Sequence, residues 1–309
     1  MDLKSLCSIA KNIDLARQST RREVEETVKS ANSLIFPAIC IPDNQLTFAF
    51  PWFFNGFLVH HGQSSIVIDP GYDFVSRCMN SQINPSSIAH IVVTHAHIDH
   101  YASLAPLIEY VMYFSKKPLC IWLPHNYADW SILPRYITEK KNLVIRTFND
   151  TDQFAGADLR ITPFPLNHSI DHTTGLLIEA NGIQSLAYIS DTGYTESVSV
   201  EGVTRMPKDC QGEYGEILTR KNLTLPLEKT DILICNINKI GFNKHSEYHL
   251  TLIELCDILR RFPRIKKCLV QHVNMISASH RELFENAQKV VPRLIFTDEK
   301  TSNIDISSA

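Results

Sequence analysis

Ile91-Val92-Val93-Thr94-His95-Ala96-His97-Ile98-Asp99-His100 is the stretch on which the reading of this chain turns. Its first half is a short apolar, β-branched run, the composition of a buried strand. Where the run stops, His95, His97, Asp99 and His100 crowd together at the mouth of the strand, where side chains can converge outside a sheet edge. His95 and His97, at i and i+2, project to the same side of extended backbone. Asp99 and His100, adjacent on turning backbone, can face a second point. Imidazole is a common ligand for zinc and its neighbours, and carboxylate adds charge and an oxygen donor. One histidine here would pass as an incidental loop residue; this density points to a metal site.

Outward from this stretch the chain alternates between strand and helix patterns. Ahead of it, Phe57-Leu58-Val59-His60, a turn at His61-Gly62-Gln63 and Ser65-Ile66-Val67-Ile68-Asp69 read as a hairpin closing in an Asp-Pro-Gly turn. Behind it, Leu104, Leu107, Ile108, Val111 and Met112 fall at helical spacing over residues 102–114. Further strands are expected at residues 119–123, 143–148, 159–163, 174–179, 185–190, 232–237, 267–271 and 294–297. Helices are expected at 126–139, 250–262 and 279–290, and another at 20–33, where Thr20 and Glu23 have capping-box spacing. Two strand-rich halves, each followed by helices, suggest a β-sandwich with helices outside, the halves meeting near residues 180–190. The expected organisation is an N-terminal helical extension over 1–45, one domain over 46–300 and a polar tail over 301–309. Within the domain, residues 194–228 have little apolar periodicity and form either an extra hairpin or a functional loop that shapes substrate choice.

The 309 residues are 44% hydrophobic and 20% charged, the balance of an ordinary soluble globular protein. A net charge of −3 gives no general pull toward nucleic acid or an anionic membrane. The eight cysteines are scattered, with no C-x-x-C pair, which suits a reducing compartment better than a disulfide scaffold. No stretch approaches the roughly 20 apolar residues of a membrane span, and no signal peptide is expected at the start. A cytoplasmic protein, a homodimer in its assembly, is the expectation.

The histidine run resembles the signature of the metallo-β-lactamase superfamily, H-x-H-x-D-H after a buried strand, with no mismatch. That resemblance implies an α/β fold, the αββα sandwich of two mixed β-sheets with helices on the outer faces and metals at one edge. It implies two divalent cations, zinc first, with manganese and iron as alternatives. Ile68-Asp69-Pro70-Gly71 matches the family's buried aspartate, which supports the metal loop. Asn167-His168-Ser169 supplies the next histidine ligand, with His172 as a competitor better suited to a structural or substrate-facing role. Tyr188-Ile189-Ser190-Asp191-Thr192-Gly193 matches the bridging aspartate, and Leu269-Val270-Gln271-His272 the final histidine. One metal would then hold His95, His97 and His168, the other Asp99, His100 and His272, with Asp191 between. Water shared by such a pair is acidified toward neutrality and is the expected nucleophile.

His249-Leu250-Thr251 resembles the His-x-Thr motif of the tRNase Z branch, which includes cyclic-nucleotide phosphodiesterases. The resemblance pairs His249 with Asp99 and makes both catalytic, with His249 assisting the leaving group; His245 is a weaker substitute beside substrate. The chain departs from tRNase Z in having Pro70-Gly71-Tyr72 after the supporting aspartate and Val273-Asn274-Met275 after His272. It also shows no glycine- and proline-rich arm between His100 and His168. The basic run Arg260–Lys267 can hold phosphates, although a solvated helix end is the plainer reading. The expectation is a phosphodiesterase acting on a cyclic or small nucleotide-like ester. An RNA endonuclease and an acyl hydrolase (lactonase, thioesterase or β-lactamase) are the alternatives.

Overall fold

The computed structural model describes residues 47–49, 56–61, 64–80, 83–125, 127, 131–148, 154–156, 159–180, 184–193, 198–200, 203–205, 226–237, 248–271, 287–289 and 291–296. The first sheet runs in chain order: β1 (Thr47–Ala49), β2 (Phe57–His61), β3 (Ser64–Ile68), β4 (Ile88–Val92), β5 (Leu119–Pro124) and β6 (Leu143–Phe148). Its first three strands are antiparallel and the steps from β3 to β6 are parallel. The second sheet contains β7 (Phe154–Gly156), β8 (Leu159–Pro165), β9 (Thr174–Ala180), β10 (Gln184–Ile189), β13 (Ile232–Asn236), β14 (Lys267–Gln271) and β15 (Leu294–Phe296). It repeats the plan: β7 to β10 are antiparallel, and β10, β13, β14 and β15 are parallel neighbours.

The central strands bury both faces. Phe57, Val59, Ile66, Ile68 and Val92 pack inward against Ile161, Ile178, Tyr188, Ile234 and Leu269 of the second sheet. The opposite face of the first sheet, with Leu58, Val67, Ile91, Val93 and Ile121, is covered by α1 (Phe74–Asn80) and α3 (Leu104–Phe114). Leu233, Cys235, Cys268 and Val270 pack under α5 (Leu252–Arg261) on the far side. Because parallel strands here are covered twice, they read as unbroken apolar runs such as Ile232-Leu233-Ile234-Cys235. The outcome is the αββα sandwich.

Three details differ from the sequence expectation. The chain crosses between sheets after Phe148 and before Phe154, not near 180–190; strand patterning does not say which sheet a strand joins. Of the helix expected over 126–139, the described residues form only a short α4 (Arg135–Thr138) with Pro134, ψ 146°, at its N-cap. Proline lacks the N–H that an earlier turn would need, and it drives the residue before it out of the helical region. The helix expected at 102–114 is preceded by a separate turn, α2 (Ile98–Tyr101), inside the histidine run. The segment 194–228 contains an antiparallel strand pair, β11 (Val198–Val200) and β12 (Val203–Arg205). The helix expected at 20–33, most of 279–290 and the tail lie outside the described residues. Among the described residues no helix is long and apolar enough to cross a membrane.

At the N-terminal ends of β10, β13 and β14 a single carboxylate ties the strands together. Asp231 Oδ2 accepts from the Ser185 amide and hydroxyl at 3.1 and 3.0 Å, and Oδ1 meets Arg264 Nε at 3.3 Å. Its carbonyl takes the Lys266 amide at 2.8 Å. Burial would raise the Asp231 pKa, but Arg264 and Ser185 outweigh it and hold the group below its ordinary value. A depressed carboxylate contributes fully above its unfolded pKa of 3.8, and that contribution fades as pH falls through the folded value. Asp231→Ala is therefore expected to cost about 1–3 kcal/mol in urea unfolding at pH 7. The deficit should shrink as the pH falls below 3.8 and through the lowered folded value.

Candidate metal centre

The site begins with a strained turn. β3 ends at Ile68, and Asp69 adopts a φ of 49° with its side chain fully buried. Aspartate tolerates this left-handed region better than most residues. The turn packs on Gly56, whose φ is +112° and where a Cβ would lie 2.2 Å from the Asp69 carbonyl oxygen, so no larger residue fits. The Asp69 carboxylate then gathers donors from separate elements. Oδ1 accepts from the Thr94 amide at 2.7 Å. Oδ2 accepts from the Thr94 hydroxyl at 2.7 Å, His100 Nδ1 at 2.9 Å and the Tyr188 hydroxyl at 2.9 Å. Thr94 follows β4, the strand that feeds the histidine run, and Tyr188 comes from the other sheet.

Each of three histidines is held by one ring nitrogen and turns the other inward. His100 gives Nδ1 to Asp69, and His168 gives Nδ1 to the Tyr248 carbonyl at 2.8 Å. His95 Nδ1 lies 3.2 Å from the Thr94 hydroxyl. The free faces converge: His95 Nε2 and His168 Nε2 lie 3.2 and 2.9 Å from His97 Nδ1. Asp191 Oδ2 stands 3.9 Å from His95, 3.8 Å from His168 and 3.4 Å from His100 Nε2. Asp99 Oδ2 lies 3.9 Å from the same His100 nitrogen. Two groups result, His95, His97, His168 and Asp191, then Asp99, His100 and Asp191, and each can hold a metal ion.

The donor chemistry fits a cation. Ring nitrogens fixed through their partners by carboxylate, hydroxyl and carbonyl are the usual support of metal-binding imidazoles. Zinc with imidazole nitrogens about 2.05 Å away in a tetrahedron would separate those nitrogens by about 3.3 Å, close to the spacing seen. Protonation agrees for the first group. Burial holds His95 well below its ordinary pKa and brings His168 down to about 4, so both present lone pairs at neutral pH. His100 differs: burial opposes its charge, but Asp69 and Asp191 outweigh it and raise the pKa to about 10. A cation at His100 Nε2 must displace a proton.

His249 completes the ring of imidazoles. Its Nδ1 is 3.7 Å from Asp191 Oδ2, and its ring centroid is 4.9 Å from that of His168. The local sequence explains the placement. Thr251 is the N-cap of α5 in a capping box with Glu254, and Leu250 is buried, so His249 leaves a fixed helix start. Tyr248, 39% exposed, and Ile98, 58% exposed, are apolar side chains adjacent in sequence to His249 and His97. His172 belongs to neither group; its backbone has φ 59° and its ring sits 5.9 Å from His125. His245 and His272 lie outside the described residues. The run Arg260–Lys267 sits at the opposite end of β14 from Gln271, with Arg261 on Asp257 and Arg264 on Asp231.

Sequence reading did not find Tyr188, Asn236 and Gln271 as parts of this site. Asn236 Nδ2 donates to Asp191 Oδ1 at 3.0 Å, and Gln271 Nε2 to Asn236 Oδ1 at 2.8 Å. Their one signal is a polar amide ending an apolar strand, which says nothing about its neighbour without the sheet order.

The sequence profile of the β-lactamase superfamily domain matches residues 64–208. No curated protein sequence matches the chain. Among solved structures, the Bacillus subtilis metallo-β-lactamase fold protein YhfI is similar over 84% of this chain and 98% of its own, at 16% identity and TM-score 0.65. A diphosphatase of the PhnP family aligns over 79% of this chain and 81% of its own, at 16% identity and TM-score 0.56. The short form of human tRNase Z aligns over 84% and 99%, at 13% identity and TM-score 0.56. At these identities the likeness is one of fold. Residues 64–208 thus match a β-lactamase superfamily domain, and the chain has the metallo-β-lactamase fold.

Asp69→Asn tests the support on which the loop rests. The isosteric amide must turn a donor toward groups that already donate, so the folded state is expected to lose about 2–5 kcal/mol. Urea unfolding measures that loss, and unchanged stability would show that Asp69 is not the anchor.

Proposed function

We propose that this chain is a metal-dependent hydrolase that cleaves phosphodiesters of cyclic or small nucleotide-like character at a dinuclear centre. His95, His97 and His168 would hold one cation, Asp99, His100 and His272 the other, with Asp191 shared; zinc best suits the imidazole-rich half. When bound, such a pair supplies an acidified water and neutralises charge building on a phosphoryl oxygen. Asp69 fixes the proton on His100 Nδ1, which keeps Nε2 turned inward. The Tyr248 carbonyl does the same for His168.

The observation that carries the phosphodiester reading is His249. It belongs to neither metal-holding group, yet it stands against Asp191 with its side chain 26% exposed. An imidazole there can give a proton to a leaving alkoxide, the poorest leaving group in phosphodiester cleavage. The exposed Tyr248 and Ile98 favour a substrate with an organic group over inorganic phosphate. A diphosphatase and a tRNase Z share the fold, so the scaffold is compatible with phosphate esters. RNA cleavage is the second reading; the position of the basic run, at the far end of β14, argues against it.

His249→Ala is expected to keep the metal content while turnover of an alkyl phosphodiester falls roughly 10²–10⁴-fold. Hydrolysis of bis(4-nitrophenyl) phosphate, whose leaving group needs no proton, should fall far less. Equal losses would make His249 a substrate-positioning group. Elemental analysis should find about two divalent ions per chain and fewer in Asp191→Ala; activity in a metal-free protein would end the reading.

A further inference from the structure

The proposed chemistry leaves unused a directed set of hydrogen bonds that links the two carboxylates at the sheet edge. Gln271 Nε2 donates to Asn236 Oδ1 at 2.8 Å. Asn236 Nδ2 donates to Asp191 Oδ1 at 3.0 Å and to the Tyr188 oxygen at 3.2 Å. Tyr188 gives its own proton to Asp69 Oδ2 at 2.9 Å. The direction is fixed at both ends. A carboxylate only accepts, and burial keeps the Tyr188 phenol far above its ordinary pKa, so it remains a donor. Turning the Asn236 amide over would set oxygen against the Asp191 carboxylate and nitrogen against the Gln271 amide nitrogen.

The fold explains why this amide can act there. Asn236 ends β13, pairs with Gln271 in the ladder to β14, and is 2% exposed. Its neighbour Cys235 pairs with Ile189 of β10, two residues before Asp191. The amide therefore sits where three parallel strands stop together. Asp191 approaches His95, His100, His168 and His249 through Oδ2, at 3.4 to 3.9 Å, and its Oδ1 accepts from Asn236.

We propose that Asn236 is a positioning residue: it takes up Asp191 Oδ1, so that the carboxylate is offered to the cations through Oδ2. This rests on the dinuclear reading. By holding Oδ1, Asn236 would fix the orientation in which Asp191 meets the cations. Gln271 anchors the amide from β14, the strand that leads directly into His272.

The test uses the full chain, stripped of metal and titrated with Co²⁺, as wild type, Asn236→Ala and Asn236→Asp. Calorimetry reads stoichiometry and affinity, visible absorption reads the coordination of the cobalt, and circular dichroism reads the metal-free fold. Wild type should take up two equivalents. In both variants the weaker equivalent should bind about 10–100-fold less tightly, the usual effect of losing a ligand's supporting partner. Its absorption bands should change as well. The Asp variant keeps the shape but lacks the donor, so it should behave like Ala, and it carries the test if Ala does not fold. Wild-type affinity and spectrum in a folded variant, or tighter binding, would overturn the role of Asn236 alone. So would a lower melting temperature with cobalt binding unchanged. A wild-type chain that takes up no cobalt would overturn the metal centre itself, and this role with it.

Discussion

The buried carboxylate of Asp69 is the constraint from which the rest of the site follows. It is fully enclosed, and it accepts from Thr94, His100 and Tyr188, which belong to the strand end, the helical turn and the opposite sheet. A buried charge of this kind is tolerable only when its lone pairs are met. Here meeting them also aligns the first residue of the histidine run, fixes one ring nitrogen of His100 and pins the two sheets together at one edge. Gly56 belongs to the same constraint, because the left-handed turn at Asp69 brings its carbonyl against the Gly56 Cα.

The sandwich supplies convergence. In each sheet a set of parallel strands ends on the same side, and groups that follow those ends are brought together although far apart in sequence. Asp69 and His95 leave β3 and β4 of the first sheet; Asp191, Asn236 and Gln271 stand at the ends of β10, β13 and β14 of the second. His168 and His249 reach the same place from loops, and His168 is tied to the second loop through the Tyr248 carbonyl. Hydrophobic burial on both faces of each sheet holds the strand ends in register, so polar groups beyond them face one another without flexible connections. Asp231 performs the matching task at the other end of the same three strands, where no metal-binding group is gathered among the described residues.

Charge within the cluster is distributed unevenly, and this shapes what it can bind. Burial makes His95 and His168 neutral, while Asp69 and Asp191 hold a proton on His100. One side of the centre is thus ready to donate lone pairs, and the other must exchange a proton for a cation. Asp191 stands between the two halves with one oxygen on Asn236 and the other toward four imidazoles.

Much of this was legible in the sequence, because the decisive residues are local. The run from Ile91 to His100 contains the end of its strand, its turn and its candidate metal-holding side chains, and all of these are local in sequence. The hairpin over residues 57–68, the aspartate after it and the helix at 104–114 are likewise set by neighbours within a few positions. The Thr251 capping box is a four-residue property, and it fixes where His249 stands. The sequence did not determine which strands lie side by side. The crossing between sheets after Phe148 and the meeting of Tyr188, Asn236 and Gln271 around Asp191 depend on sheet order, which alternation of apolar residues does not encode. The partner of each imidazole's outer nitrogen, and the proton on His100, were beyond it for the same reason. Both depend on which buried groups stand within 3 to 4 Å across the edge, and only the packing of one sheet on the other decides that.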